Sequence, residues 1–271
     1  MKENKQRRFN LDGKLIILTG GAGYLAEEFA KEILKFNGRI ILIDINSKLL
    51  KLRIKKFEKE YKNKIFTYKC DLTSEQQVKK MFKDIEKKIG IPNVLINNAA
   101  SNPTMTRMPK WSNNLENFSI KQWQFDIASG LTSAFLCTKY FGKINTSKSR
   151  VILNISSDLG LIAPNQGLYK DKAGNNYKPV SYSVVKHGII GLTKYTATFW
   201  NEKNIRCNAV AFGGVFNNQN QKFLNKIKKL IPMNRMANKS EYNSAVVFLI
   251  SDASSYMNGS VTVIDGGRTA W

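Results

Sequence analysis

Apolar residues in this chain gather into short unbroken runs, which alternate with longer stretches where apolar positions recur every three or four residues. The runs are residues 14–19, 39–44, 65–69, 94–97, 151–156, 206–210 and 261–264. They are too short for helices and lack polar alternation, which is the pattern of strands covered on both faces. Stretches such as 74–89 and 181–200 have the spacing of amphipathic helices. Strands alternating with helices predict βαβ units. The expectation is an α/β fold: a single doubly wound domain over residues 1–271, with a seven-stranded parallel sheet and helices on both faces. Residues 1–10 are charged, have no apolar periodicity and read as a disordered lead-in. Residues 101–117, 158–179 and 212–232 read as loops over the carboxyl edge of the sheet, where open α/β sheets bind ligands. The last of them carries a lysine-rich helical patch.

Composition changes this picture little, and charge changes it more. The chain has 271 residues, 42% hydrophobic and 23% charged, with a formal net charge of +23. Such an excess can attract nucleic acid, a membrane surface or an anionic small molecule. The lysines are spread through segments such as 48–64, 79–88 and 222–229, between apolar residues at helical spacing. They read as solvated helix faces, with no basic arm and no nucleic-acid motif. No run has the roughly 18 apolar residues of a membrane span. Cys70, Cys137 and Cys207 lie far apart, and His187, read as structural, is the only histidine. Neither a disulfide framework nor a metal site is expected, and the setting reads as reducing and cytoplasmic.

Tyr182 and Lys186 stand one helical turn apart, so phenol and ammonium share a face. A neighbouring ammonium favours phenolate, lowers the tyrosine pKa and suits the side chain to proton transfer. Gly21-Ala22-Gly23-Tyr24-Leu25-Ala26 matches G-x-G-x-x-G/A, between the first strand and a helix. Glycines there allow a tight turn and close approach to a pyrophosphate seated on the helix N-terminus. Asp44 closes the second strand about 20 residues on, where an acidic residue reads the ribose. A carboxylate there favours NAD and repels the 2′-phosphate of NADP. Taken alone, Asp44 also fits a strand-end cap, and Ser156-Ser157 fits an ordinary strand-to-loop transition. Together the features describe a Rossmann-type hydride-transfer domain.

From Leu11 onward the chain resembles the short-chain dehydrogenase/reductase family. The motifs that carry the resemblance are Thr19-Gly20-Gly21-Ala22-Gly23-Tyr24-Leu25-Ala26, Cys70-Asp71-Leu72, Asn97-Asn98-Ala99-Ala100, Asn154-Ile155-Ser156-Ser157, Tyr182-x-x-x-Lys186 and Ile264-Asp265-Gly266-Gly267. The resemblance implies that Tyr182 is the general acid/base and that Lys186 lowers its pKa and holds the nicotinamide ribose. It implies that Ser157 hydrogen-bonds the substrate oxygen. It also places Gly20, Gly21, Gly23, Tyr24 and Leu25 around the dinucleotide and Asp71 and Leu72 beside the adenine. Asn97 and Ala99 would lie under the cofactor, with Gly213 and the Val215 backbone near the nicotinamide. The implied activity is NAD(P)-dependent interconversion of a secondary alcohol and a ketone, by a homodimer or homotetramer joined through long helices. Ser157-Asp158, the segment after it, the stretch from Gly213 to Asn218 and the ending Asp265-Gly266-Gly267-Arg268-Thr269-Ala270-Trp271 are similar to oxidoreductases encoded with flagellin-modification and surface-polysaccharide genes. That similarity implies a sugar, sugar phosphate or nucleotide-sugar substrate.

Four departures qualify the resemblance. The spacing Gly20-x-x-Gly23-x-x-Ala26 is that of the family's extended branch. Gly130 falls where the family often has an asparagine that orders a proton-relay water; a glycine can instead permit a local helix irregularity. Its presence leaves open a second reading, a non-catalytic dinucleotide-binding partner subunit in glycan biosynthesis. The interval from Ser157 to Tyr182 holds an extra segment with Tyr169, Lys170, Lys172, Tyr177 and Lys178. It reads equally as a basic lid over a phosphate-bearing substrate or as a solvated loop. Phe212 stands in place of the usual proline, and Asn217 where threonine is common.

Overall fold

All five residues of β1 (Leu15–Thr19) are buried, as an apolar run between two helical layers requires. The structure is a computed structural model describing residues 8–57, 59–100, 114–170 and 176–271. Its other strands are β2 (Arg39–Asp44), β3 (Ile65–Lys69), β4 (Val94–Asn97), β5 (Arg150–Ser157), β6 (Ile205–Phe212) and β7 (Val261–Ile264). They form one seven-stranded sheet in the order β3-β2-β1-β4-β5-β6-β7. Every pairing is parallel, with Ile17 opposite Ile41 on one side and Leu95 on the other. β5 and β6 run longer than the apolar runs at 151–156 and 206–210. β5 gains the polar Arg150 and Ser157 at its two ends, which pair with the apolar Ile205 and Phe212 at the ends of β6.

The helices between the strands are α1 (Ala26–Lys35), α2 (Ser47–Lys55), α3 (Glu75–Lys88), α4 (Ile120–Ile127), α5 (Ser133–Gly142), α6 (Val180–Phe199), α7 (Gln221–Ile227) and α8 (Asn243–Ile250). In α3 the Ser74 hydroxyl caps the Gln77 N–H, and Val78, Met81, Phe82 and Ile85 are buried. Lys79, Lys80, Lys83, Lys87 and Lys88 point to solvent, the disposition expected for much of the positive charge. One core lies under α1 and α8, with Phe29, Ile33, Val246 and Leu249 against β1, β2, β4, β5 and β6. The other lies under α3 and α5, with Val78, Met81, Leu136 and Phe141 on the opposite face. Cys70, Cys137 and Cys207 are free and buried, and burial pushes all three thiols up. Among the described residues no helix is long and apolar enough to cross a membrane.

Strand order reverses between β1 and β4, so a crevice opens outside their carboxyl ends. Residues 101–113 of one expected wall and 171–175 of another lie outside the described residues, Lys172 among them. So do residues 1–7 of the lead-in, while Phe9 packs on Phe248 with ring centroids 6.2 Å apart.

Candidate active site

The glycine turn at the end of β1 is built for close approach. Gly20 has φ +64°, and a Cβ on it would lie 2.9 Å from the Ala99 Cα. A Cβ on Gly21 would lie 2.7 Å from Leu42 Cβ. The turn is closed by Gly21 N–H to the Ile43 carbonyl and Gly23 N–H to the Gly20 carbonyl, both at 2.9 Å. α1 then starts at Leu25 without a side-chain cap, whereas Asn46 and Ser74 cap α2 and α3. Its first N–H groups thus remain available to an anion, which fits a pyrophosphate. Tyr24 donates its hydroxyl to the Phe216 carbonyl at 3.0 Å, tying the turn to the loop after β6.

Asp44 faces this turn. Its Oδ2 accepts from the Ala22 N–H at 3.1 Å and its Oδ1 from the Asn46 N–H at 2.9 Å. The carboxylate therefore caps the strand end, and each oxygen keeps acceptor capacity for a ribose hydroxyl. Asp71 Oδ1 is occupied by the Thr73 N–H and hydroxyl, and Leu72 is buried in the core. Asn97 is drawn inward: its Nδ2 donates to Thr138 Oγ1 at 3.1 Å and Asn154 Oδ1 at 2.8 Å, leaving its own Oδ1 buried without a partner. The neighbouring Asn98, to which no role had been given, holds the turn instead. Its Nδ2 donates to the Thr19 carbonyl at 3.0 Å, and Thr19 Oγ1 accepts from the Asn98 and Ala99 N–H groups. A second amide at a strand end was the signal available for it. Val215 forms an isolated bridge with Ala237, and Gly213 accepts the Tyr242 hydroxyl at 3.0 Å. Phe212, in the usual proline's place, stacks on Tyr242 with ring centroids 4.0 Å apart.

Ser157 at the end of β5 and Tyr182 on α6 come together at the sheet edge, and Lys186 lies one turn further along α6. The expected tuning of the phenol is not what this structure holds. Burial pushes Tyr182 up to about 12, Asp158 adds to the rise, and the neighbouring Ser157 hydroxyl only partly opposes it. Lys186 donates to the Ile155 carbonyl at 2.9 Å, its ammonium is 5.7 Å from the Tyr182 ring centroid, and burial pushes it down to about 8. Desolvation disfavours charge on both groups and outweighs the attraction inferred from spacing.

Two charged residues that motif reading left without a role complete this centre. Asp158 Oδ2 accepts from Arg268 Nη1 at 2.9 Å, and both side chains are buried. Asp158 Oδ1 accepts the Ser157 hydroxyl at 2.7 Å and the Leu159 N–H at 2.8 Å. The single serine proton thus points at Asp158 and must rotate away to reach a substrate oxygen.

The segment between Ser157 and Tyr182 divides. Leu168 and Tyr169 pack with Phe223, Ile227 and Ile231, and Lys226 donates to the Gly167 carbonyl at 2.8 Å, so this part is docked on α7. Lys170 lies over Tyr177 at 5.9 Å. Lys178 lies over the Tyr182 ring, 3.7 Å from its centroid.

Gly130 sits within a π-helical turn, Ala128–Thr132, between α4 and α5, which is the irregularity its presence predicted. A Cβ there would lie 2.6 Å from Val185 Cγ1, so α6 approaches the turn too closely for an asparagine. Just before it, the buried Asp126 accepts the Ser181 hydroxyl. His187 is exposed, with Nδ1 2.9 Å from the Ser183 carbonyl, away from the centre. Among the described residues no group of three or more His, Cys, Asp and Glu could hold a metal ion.

Against known proteins, a family model described as Enoyl-(Acyl carrier protein) reductase matches residues 21–269. The chain is 30% identical to an NADP-dependent mannitol dehydrogenase of Alternaria alternata, over 96% of this chain and 93% of that protein. It is 27% identical to post-translational flagellin modification protein A of Campylobacter coli, over 95% of this chain and 98% of that protein. The crystal structure of a short chain dehydrogenase from Leptospira borgpetersenii with bound NAD+ superimposes with a TM-score of 0.78 at 27% identity, covering 96% of this chain and 94% of that one.

Proposed function

The chain belongs to the short-chain dehydrogenase/reductase family of oxidoreductases, and on that premise we propose that it interconverts a secondary alcohol and a ketone on a polar, carbohydrate-like substrate, with NAD as its dinucleotide. One observation carries the reading: Ser157, Tyr182 and Lys186, from two elements, converge at the carboxyl edge of a sheet whose first turn is a glycine cradle.

When bound, the dinucleotide supplies a hydride acceptor or donor at its nicotinamide ring. The glycine turn and the uncapped start of α1 hold its pyrophosphate, and Asp44 accepts from the ribose hydroxyls. Reduction builds negative charge on the substrate oxygen. Tyr182 Oη–H donates its proton there, and Ser157, rotated off Asp158, donates a hydrogen bond to the same oxygen. Arg268 keeps Asp158 in place while the serine turns. In the oxidative direction the tyrosine must first lose its proton. Lys186, anchored by the Ile155 carbonyl, then provides the positive charge that stabilises the phenolate.

Asp44 is the reason for favouring NAD over NADP. Sugars, sugar phosphates and nucleotide sugars are the substrate classes of this reading, and similarity to a mannitol dehydrogenase supports a polyhydroxy substrate among them. The approach of Val185, 2.6 Å from where a Cβ on Gly130 would lie, gives the glycine a packing reason, while the convergence of Ser157, Tyr182 and Lys186 favours the catalytic reading over a non-catalytic one. We read the chain as one domain of a cytoplasmic homodimer or homotetramer. Exposed Phe125, Phe135, Tyr195 and Phe199 on α4, α5 and α6 offer apolar surface for such an assembly. The test is a spectrophotometric screen of NADH oxidation against keto-sugars, keto-acids of sugars and nucleotide keto-sugars, with NAD reduction by the matching alcohols. NADH binding without turnover of any of them would return the non-catalytic reading.

A further inference from the structure

A serine hydroxyl has one proton and two lone pairs with which to bond. At Ser157 two of these three positions are taken inside the protein. The proton goes to Asp158 Oδ1 at 2.7 Å. One lone pair shares the Leu159 N–H, which lies 3.2 Å from Oγ and 2.8 Å from the same Asp158 oxygen. The position that remains is a lone pair. It accepts a hydrogen and has none to give.

This orientation is fixed on both sides of the bond. The Ser157 backbone is paired with Phe212 of β6. Asp158 is held at its other oxygen by Arg268 Nη1 at 2.9 Å, with both side chains buried. The turn that carries Arg268 is tied down in its own right. Asp265 accepts the Gly267 N–H at 2.8 Å, the Thr269 N–H at 2.8 Å and the Thr269 hydroxyl at 2.7 Å. The carboxylate cannot follow the serine if the hydroxyl turns. A hydrogen bond to a carboxylate is also stronger than one to a neutral oxygen, so turning it away is harder.

The second hydroxyl at this edge has the opposite polarity. Tyr182, pushed up to about 12, keeps its proton at neutral pH and donates. One donor beside one acceptor matches an alcohol, whose oxygen takes the phenol proton while its own proton goes to Ser157. A ketone oxygen only accepts. It must either face the serine lone pair or turn the hydroxyl off Asp158. We propose that Asp158, pinned by Arg268, is a positioning residue that holds Ser157 as an acceptor, so that the resting centre takes the alcohol in preference to the ketone. This rests on the reading of Tyr182 and Ser157 as the groups that meet the substrate oxygen. It adds which of the two interconverted species the centre is shaped for.

D-threitol and D-erythrulose differ in one carbinol oxidised to a carbonyl. D-threitol is titrated calorimetrically into the NADH complex and D-erythrulose into the NAD+ complex, combinations in which no hydride can pass. The proteins are the wild type, Asp158→Ala and the Asp158→Ala/Arg268→Met double variant, each also carrying Ser157→Ala. The double variant leaves no buried charge alone, and unchanged NADH affinity shows that a variant is folded. Where neither alanine variant folds, Asp158→Asn takes their place, with a smaller shift of the same sign expected. Removing Asp158 should tighten erythrulose binding about tenfold or more and leave threitol within about threefold of the wild type. With Ser157→Ala in place, the same removal should change neither. A residue that merely supports the fold would weaken both ligands when removed. Erythrulose binding that is unchanged or weaker, a shift that survives Ser157→Ala, or a wild type that binds neither probe would overturn the assignment. The expected shift without NADH turnover of any sugar would sink the oxidoreductase reading and spare the role of Asp158; turnover without the shift would do the reverse.

Discussion

Arg268 Nη1 donates to Asp158 Oδ2 at 2.9 Å, joining positions 110 residues apart, with side chains only 5% and 4% exposed. Asp158 in turn takes the Ser157 hydroxyl, so the ion pair reaches the reacting centre through one carboxylate. Removing either partner leaves a buried charge alone. Arg268→Met and Asp158→Ala are each expected to cost about 3–5 kcal/mol, and the double variant less than the sum. Urea denaturation of the four proteins closes the cycle; additive losses would mean the pair is not coupled.

Tyr182→Phe removes one oxygen from the centre and nothing from the glycine cradle. Turnover should fall by about 10²–10⁴-fold, with NADH affinity within about twofold of the wild type. Steady-state rates and NADH fluorescence titration measure the two quantities separately. A variant that keeps its rate would point to another proton donor.

The direction of the Tyr182 shift fixes a pH signature. Its phenol, pushed up to about 12, is protonated at neutral pH. Ketone reduction uses that proton and should be flat between about pH 7 and 10, whereas alcohol oxidation needs it gone and should rise by up to about tenfold per pH unit. Initial-rate profiles in both directions check this. A level oxidation profile would show that the phenol titrates lower in the working enzyme.

Gly130→Asn restores a side chain often found in the family but drives its Cβ to 2.6 Å from Val185 Cγ1. It should cost about 1–3 kcal/mol and lower activity rather than raise it. Adding Val185→Ala should recover part of the loss in thermal melting and rate assays. A gain in rate from Gly130→Asn alone would indicate that the relay tolerates the displaced helix.

Asp44→Ser withdraws the negative charge that a 2′-phosphate would meet. The ratio of kcat/KM for NADH to that for NADPH should exceed one in the wild type and drop about tenfold or more in the variant. Paired kinetics with the two cofactors decide it; a wild type that prefers NADPH would remove Asp44 as the discriminator.

Legibility followed range. The β1 and β2 runs were readable because a strand buried on both faces must be apolar at nearly every position. The Tyr182–Lys186 pair was readable because four residues make one helical turn in any fold. Gly130 was half readable. Its freedom to break helical regularity lay in the sequence, but the contact with Val185 that forbids a side chain needed a second helix beside it. Asn98 was within sight in a quoted motif, yet its amide bond to the Thr19 carbonyl depends on β1 and β4 being neighbours. Lys178 looked like one basic residue of an insertion until the docking of Leu168 and Tyr169 on α7 fixed the segment.

By itself the sequence determined the alternating elements, the glycine turn with its acidic partner and the phenol–ammonium pair, since periodicity and spacing act over a few residues. Only the tertiary structure decided that Arg268 locks Asp158, that Lys178 covers Tyr182, and that the phenol is raised rather than lowered. Ion pairing and desolvation depend on which distant segments surround a group and how much water they leave there, and that is settled only when the chain is packed.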